Sequence, residues 1–237
     1  MKFNPIFLPL NKKETLSSLI LLPVYLVGSL LLFPLESQGI FLPYFLFMLA
    51  CFLAAALYAK RFWKETFTNL SIIGKPLIWK VPLAALLNKV LCVFLNDILL
   101  LFDFPYFTGS EWGPMLYDPR LRLLEQWGTN SFVIALVCMV VFVPVVEELL
   151  FRGLILGRIY EKSTLLGVVL STALFAVFRT LPYLSMAASG HEWYLLVYFL
   201  QHIPYCLFLS WLYISTDSIA APILMQMIYN YFDVLPG

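Results

Sequence analysis

The sequence has few charged residues and almost no histidine. Asp, Glu, Lys and Arg make up 12% of the 237 residues, whereas a soluble globular domain has roughly 25%. His191 and His202 are the two histidines, and the His-Glu-x-x-His pattern of zinc proteases is absent. The formal net charge of +1 gives no basic excess that would indicate nucleic-acid binding. These shortages exclude an ordinary soluble domain, and we expect neither a metal ion nor another cofactor.

The four cysteines show no paired spacing. They lie inside separate apolar runs, without a Cys-x-x-Cys pattern, at Cys51, Cys92, Cys138 and Cys206. This placement is typical of small apolar side chains that fill gaps between helices. We therefore predict no disulfide framework and no cysteine metal site.

Apolar residues dominate the chain instead. They account for 62% of it, and the mean hydropathy is +0.88. Because a membrane helix needs about 20 apolar residues, the length allows about seven spans and no sizeable soluble domain. The predicted fold is an all-α transmembrane helix bundle that forms a single integral membrane domain over residues 1–237.

Basic residues set the predicted orientation. They precede the first span and follow the second, where Lys60, Arg61, Lys64 and Lys75 occupy a predicted loop. Since positive charge favours the cytoplasmic side, we predict a multi-pass protein of the cell membrane with a cytoplasmic N-terminus. The predicted spans are residues 15–35, 40–59, 77–101, 131–160, 163–181, 192–214 and 218–235.

Two polar features lie outside the most informative region. Lys89 and Asp97 in the third span fall two turns apart on roughly one face. We interpret them as hydrogen-bonding groups within the bundle rather than as substrate contacts. The longest polar stretch, residues 102–130, is predicted to lie on the outer, non-cytoplasmic side, either as a lid over the bundle or as an inert surface loop.

Two adjacent carboxylates in the fourth span are the strongest functional signal. Glu147 and Glu148 end a long apolar run, where a charge costs roughly 2.5–3.5 kcal/mol on insertion scales. Arg152 follows Glu148 at i, i+4 and therefore shares its helix face. Glu147 points about 100° away, toward a second partner. An ion pair at the membrane boundary is the alternative interpretation. Pro144, one turn earlier, predicts a kink.

Two later spans carry polar groups that could face the same cavity. The fifth span contains Phe175 and Arg179, and the seventh contains Gln226 and Asn230 at i, i+4. Two amide donors on one face could form an oxyanion hole. Hydrogen bonding between helices is the simpler alternative.

These three stretches, in this order, resemble the CPBP family, which includes the type II CAAX prenyl endopeptidases and the bacteriocin-processing or Abi proteins. The family pattern is Glu-Glu-x-x-x-Arg, then Phe-x-x-x-His, then His-x-x-x-Asn, each on its own transmembrane helix. Glu147, Glu148 and Arg152 match the first motif completely. The sequence at 220–224 before the third motif is also typical. The resemblance covers residues 141–232, within a predicted core of residues 131–235.

The resemblance implies an intramembrane endopeptidase. In the family, the first Glu and the second-motif His are thought to activate water, and the third-motif His and Asn to stabilise the oxyanion. This chain keeps Phe175 and Asn230 but has Arg179 and Gln226 where the family has histidine. The candidate catalytic residues are Glu147, Glu148, Arg152, Arg179, Gln226 and Asn230.

The two departures differ in their consequences. The Gln226 amide can still donate a hydrogen bond, whereas the Arg179 guanidinium cannot accept a proton at any useful pH. His202 on the sixth span could compensate, although its context matches neither family histidine.

Two functions follow as hypotheses. One is a glutamate-dependent endopeptidase with altered catalysis that acts on a membrane-embedded or lipidated peptide. The other is a non-catalytic pseudoprotease that binds and regulates a membrane protein partner. A small transporter or channel is a weaker alternative, because the sequence shows no paired repeats.

Overall fold

Helices account for all the regular structure in the described part of the computed structural model, which covers residues 10–37, 42–101, 133–134, 136–160, 162–181, 184 and 192–234. The predicted all-helical class is confirmed. The polar stretch 102–130 lies outside the described residues. The helices of these ranges are α1 (Lys12–Ser37), α2 (Leu42–Tyr58), α3 (Lys60–Leu101), α4 (138–160), α5 (Thr164–Thr180), α6 (Glu192–Thr216) and α7 (Ala220–Val234).

Three of the described helices are long and apolar enough to cross a membrane. The qualifying stretches are Lys12–Leu32 in α1, Leu77–Leu95 in α3 and Leu195–Thr216 in α6. The apolar helices α2 and α5 are shorter, at 17 residues each. These stretches support a membrane protein, whereas the predicted number of seven spans stays a prediction.

The predicted basic loop between the second and third spans is wrong. Helix α3 runs without interruption from Lys60 and includes this segment. Residues 60–73 contain neither proline nor glycine, and Lys, Arg and Glu are good helix formers. The Trp63 indole also donates to the Ala55 carbonyl at 3.2 Å, which joins the start of α3 to α2. The cluster of charge here therefore does not mark the end of a helix.

Helix α1 begins with a reciprocal cap. The Asn11 side chain accepts from the Glu14 N–H at 2.9 Å, and the Glu14 carboxylate accepts from the Asn11 N–H at 2.7 Å. This capping box satisfies two N–H groups that the helix cannot bond internally. One residue later, Thr15 accepts from Arg158 Nη2 at 2.5 Å. The start of α1 therefore lies against the end of α4.

The turn between α6 and α7 contains a residue in an uncommon backbone conformation. Asp217 has a φ of 48° and ends α6 in the left-handed region. Aspartate tolerates this conformation better than most residues. The Ser218 hydroxyl accepts from the Ala220 N–H at 3.1 Å at the start of α7. Burial raises the pKa of the Asp217 carboxyl, and the Lys80 charge opposes that rise.

Helix α4 lies at the centre of the bundle. Every residue of 146–154 is buried, as expected for a helix surrounded by other helices. It packs against α1, α2, α5, α6 and α7. At Gly167 of α5, an added Cβ would lie 3.0 Å from Leu156 Cδ1 and 3.3 Å from the Tyr160 nitrogen. This close approach places the second half of α4 directly against α5.

Two stretches of α4 have π-helical hydrogen bonding, Cys138–Phe142 and Leu149–Leu156. In the first, the Val143 N–H donates to the Cys138 carbonyl. The same register would pair the Met139 carbonyl with residue 144, but Pro144 has no N–H. A π segment thus ends next to Pro144, which cannot donate to the Met139 carbonyl, whereas the predicted kink stays a prediction.

The outer face of α3 carries two charges of the third predicted span. Lys89 and Asp97 are both exposed, so their interpretation as hydrogen-bonding groups within the bundle gains no support from the described residues and stays a prediction. The residues that α3 buries instead lie on one stripe at Leu77, Val81, Ala84 and Asn88.

We expect the contact between α1 and α2 to be intolerant of added volume at Gly28. An Ala Cβ there would overlap the Phe47 ring. Forcing that ring to move should lower the free energy of unfolding by about 1–3 kcal/mol. Reversible unfolding in detergent micelles would measure the change.

Gly74→Ala is the matched control, because its added Cβ meets no atom within 4 Å. That variant should be neutral or more stable by up to about 1 kcal/mol through helix propensity. Equal effects of the two substitutions would contradict the described packing of α1 on α2.

Candidate active site

The Glu147 carboxylate is the centre of the candidate site. Its Oε1 accepts from the Tyr25 hydroxyl at 2.8 Å. Its Oε2 accepts from Arg179 Nη2 at 2.6 Å and also from Gln226 Nε2. Glu147 is 1% exposed, so a buried carboxylate has a direct protein donor on each oxygen. The donors come from α1, α5 and α7, and they converge on α4.

Arg179 forms an ion pair with Glu147. The guanidinium therefore does more than replace the expected histidine in sequence, because it bonds directly to the carboxylate proposed as the base. A charge-assisted hydrogen bond of this kind is about twice as strong as a neutral one. It also fixes the position of α5 relative to α4.

A second ion pair lies one residue further along α4. Arg152 Nη1 donates to Glu148 Oε1 at 2.8 Å, and both side chains are fully buried. Arg152 Nη2 also donates to the Cys206 carbonyl of α6 at 3.3 Å. The i, i+4 spacing thus gives the neighbouring pair that it predicts, and this pair connects α4 to α6.

Phe175 contacts both arginines of the first two motifs. Its ring centroid lies 4.4 Å from the Arg152 guanidinium carbon and 5.2 Å from that of Arg179. A cation near an aromatic ring is stabilised by the ring quadrupole, most strongly where water is excluded. Phe151 packs edge-on against the same ring, at 4.7 Å between centroids. Phe175 therefore connects the two ion pairs into one cluster.

The two amides of the third motif have different partners. Gln226 donates to Glu147, whereas Asn230 Nδ2 donates to the Met139 carbonyl at 2.7 Å. That carbonyl is the one that Pro144 leaves without a helical N–H. The structure therefore gives Asn230 a role in completing the backbone hydrogen bonding of α4, and it does not aim both amides at one oxyanion position.

Several buried polar atoms near these pairs have no hydrogen-bond partner among the described residues. They are Glu148 Oε2, Arg152 Nε, Gln226 Oε1 and the Tyr205 hydroxyl. Each is costly to bury unpaired. The cluster thus retains acceptor and donor positions beyond its direct bonds.

His202 is half-buried on α6, and its Nδ1 lies 2.7 Å from the Tyr198 carbonyl one turn earlier. The described partners of Glu147 do not include it. In the part of the chain that the structure describes, no three His, Cys, Asp or Glu side chains come together as ligands for a metal ion.

Tyr25 is the site residue that sequence reasoning missed. It is 1% exposed in α1, far from the three motifs in sequence. Tyrosine is common in membrane helices for other reasons, so its sequence context carries no signal of a contact with Glu147. A buried tyrosine hydroxyl usually has a hydrogen-bond partner. This rule indicates that Tyr25 would bond to some polar group, but it does not identify Glu147.

We expect Asn230→Ala to destabilise the protein through α4. The substitution leaves the Met139 carbonyl buried and unpaired, which should cost about 1–3 kcal/mol. The same change in a Pro144→Ala background should cost less, because residue 144 then supplies an N–H. Unfolding in micelles of the four proteins in this cycle tests the coupling, and equal costs in both backgrounds would contradict it.

Breaking the central ion pair from one side should be severe. Arg179→Met leaves the Glu147 charge buried without its cation, so the expected loss of unfolding free energy is about 3–5 kcal/mol. Adding Glu147→Gln should recover much of that loss. Strictly additive effects of the two changes would show that the pair is not coupled.

Comparison with known proteins agrees with the motif pattern. Residues 129–232 match the family model described as type II CAAX prenyl endopeptidase Rce1-like. Neither the curated proteins nor the solved structures give a match. The matched residues include Glu147, Arg179 and Gln226, whereas Tyr25 lies outside them. Through this carboxyl-terminal part, the chain is similar to the CPBP family of CAAX-protease-like membrane proteins, and the match supports the resemblance found in the motifs.

Proposed function

We propose that this chain is a non-catalytic member of its family, which binds a membrane-embedded peptide or a membrane protein partner without cleaving it. The observation that carries the proposal is the 2.6 Å bond from Arg179 Nη2 to Glu147 Oε2. Hydrolysis in the family is thought to need a Glu and a His that activate water together. Here the Glu is bonded to a cation that replaces the His.

The hydrogen bonds at Glu147 also oppose the role of general base. A base must lie within hydrogen-bond reach of the water whose proton it takes. Tyr25, Arg179 and Gln226 already approach the two carboxylate oxygens directly. These donors occupy three of the roughly four acceptor positions of a carboxylate, so a reacting water is limited to the remaining position on Oε1, beside the Tyr25 hydroxyl.

The charge balance favours a structural cluster. Glu147 and Glu148 face Arg179 and Arg152 in two direct pairs, so the four formal charges sum to zero. A buried charge is tolerated when it is paired and hydrogen-bonded. Such a network stabilises one arrangement of the helices, which suits a binding scaffold.

We also propose that the chain crosses the cell membrane seven times, with a cytoplasmic N-terminus and its family-like core at residues 131–235. Two contacts between helix ends support this topology. Arg158 near the end of α4 bonds Thr15 near the start of α1, and Lys80 donates to the Ser215 carbonyl at 2.5 Å. With a cytoplasmic N-terminus and alternating spans, α1 and α3 begin on the cytoplasmic side, and α4 and α6 end there. Each contact therefore joins two helix ends that this topology places on the same side of the membrane.

The alternative is a glutamate-dependent endopeptidase with altered catalysis. The family match favours it, and so do two buried acceptor atoms, Glu148 Oε2 and Gln226 Oε1, that have no partner among the described residues. Either acceptor could receive a hydrogen bond from a water beside the ion pairs. This function would require Glu148, rather than Glu147, to hold the reacting water.

The test is peptide cleavage by the purified protein in lipid vesicles. The substrates are a prenylated peptide and a single-span peptide, each analysed by mass spectrometry. The expected result is no specific product from the wild type, because the Glu147 oxygens are bonded and Arg179 cannot act as a base. Retention of the two peptides on the vesicle-bound protein is measured in parallel, and we expect binding of at least one.

Glu147→Gln and Glu148→Gln are the controls, each checked for folding by thermal unfolding. A product from the wild type that is lost in either folded variant would overturn the non-catalytic assignment. The variant that loses it would identify the reacting carboxylate. Absence of both cleavage and binding would remove support for either peptide-directed function.

A further inference from the structure

Helix α3 carries a charge on a face that the bundle does not use. Its buried residues, Leu77, Val81, Ala84 and Asn88, form the stripe that packs against α6 and α7. Lys89 is exposed about 110° around the helix from the centre of that stripe. We call this side the outward face of α3. Its exposed apolar members are Ile78, Leu86, Val90, Val93 and Phe94.

The position of Lys89 along the helix makes its exposure costly. It lies within the apolar stretch Leu77–Leu95, six residues and therefore about 9 Å from the end of that stretch. A lysine near the centre of a membrane helix costs roughly 2.5–3.5 kcal/mol on insertion scales, and such residues usually face protein or water. Within the described residues, the outward face gives Lys89 neither a covering protein surface nor a water-filled cavity.

Asp97 does not neutralise Lys89 within the same helix. Eight residues separate the two, which corresponds to about 12 Å along the axis and about 80° around it. Ion pairs along a helix form at three or four residues instead. Both charges are therefore available to another molecule, at two different depths.

A second copy of this chain is a poor complement. Two copies share one orientation in the membrane, so a symmetric pair through this face places each residue at the depth of its equivalent. Lys89 would then meet Lys89, and Asp97 would meet Asp97. Like charges at close range disfavour that arrangement. A different helix with an acidic residue at the depth of Lys89 satisfies the charge.

We propose that the outward face of α3 binds a transmembrane helix of another protein, which carries a carboxylate at the depth of Lys89. The apolar side chains around Lys89 supply the packing surface, and the ion pair fixes the depth of the partner. This surface lies outside the family-matched residues 129–232. The proposal therefore stands whether or not the Glu147 site hydrolyses a peptide.

Designed single-span peptides test the surface directly. The full-length protein, labelled with a donor fluorophore, is reconstituted in phosphatidylcholine vesicles with acceptor-labelled leucine-rich peptides. The peptides are identical except for Glu or Leu at one central position. Energy transfer should show about tenfold tighter association of the Glu peptide, as expected for a polar contact between membrane helices. Moving the Glu by one turn in either direction should weaken it.

Variants at Lys89 assign the effect to that residue. Lys89→Met should remove the preference for the Glu peptide, Lys89→Arg should retain it, and Lys89→Glu should transfer it to a peptide with a central Lys. Lys162→Met is the matched control, because Lys162 is also exposed but follows α4, outside the outward face. It should behave as the wild type.

Two outcomes would overturn the proposal. Equal association of the Glu and Leu peptides with the wild type would mean that Lys89 does not select a carboxylate. Energy transfer between two labelled wild-type copies that falls in Lys89→Met would assign the face to a second copy instead. Neither outcome touches the cleavage assay, so the two proposals fail separately.

Discussion

The bond network at the Glu147 carboxylate is the interaction on which the arrangement of the helices depends. Apolar contact alone fixes helix positions weakly in a membrane, because lipid tails are as apolar as the helix surfaces. A buried carboxylate is different, since each oxygen needs a donor at hydrogen-bond distance. Tyr25, Arg179 and Gln226 meet that need from three other helices. Their register relative to α4 is therefore set by polar geometry to within a fraction of a helical turn.

The irregular backbone of α4 belongs to the same constraint. Pro144, which follows the π segment, has no N–H to donate to the Met139 carbonyl. The Asn230 side chain donates to that carbonyl at 2.7 Å instead. Helix α7 thus contacts α4 through Gln226 at the carboxylate and through Asn230 at the backbone. Two polar contacts one turn apart on α7 fix both its depth and its rotation. Leaving this buried carbonyl unpaired would cost about 1–3 kcal/mol.

Sequence reasoning succeeded where the relevant partners lie on one helix and failed where they lie on different ones. The Glu148–Arg152 pair follows from i, i+4 spacing alone, and the all-helical class follows from composition. Tyr25 and Glu147 are 122 residues apart in the sequence, so no local periodicity of the sequence indicates their contact. The different partners of Gln226 and Asn230 could not be inferred either. Their i, i+4 spacing places both amides on one helix face, but it does not specify the group to which each amide donates. At residues 60–73, charge was taken as a loop signal although the same residues favour a helix.

The two departures from the family pattern make chemical sense as a pair. A histidine can donate or accept, depending on its protonation state, whereas a guanidinium only donates. An amide donates through its nitrogen, and it is the Gln226 nitrogen that faces Glu147. With the Tyr25 hydroxyl, all three direct partners of the carboxylate in the described structure act as donors. Such a set satisfies the buried carboxylate with hydrogen bonds and contains no imidazole that could take a proton from water. Changing Arg179 alone would therefore restore an acceptor beside Glu147 only by removing the cation that the buried charge requires.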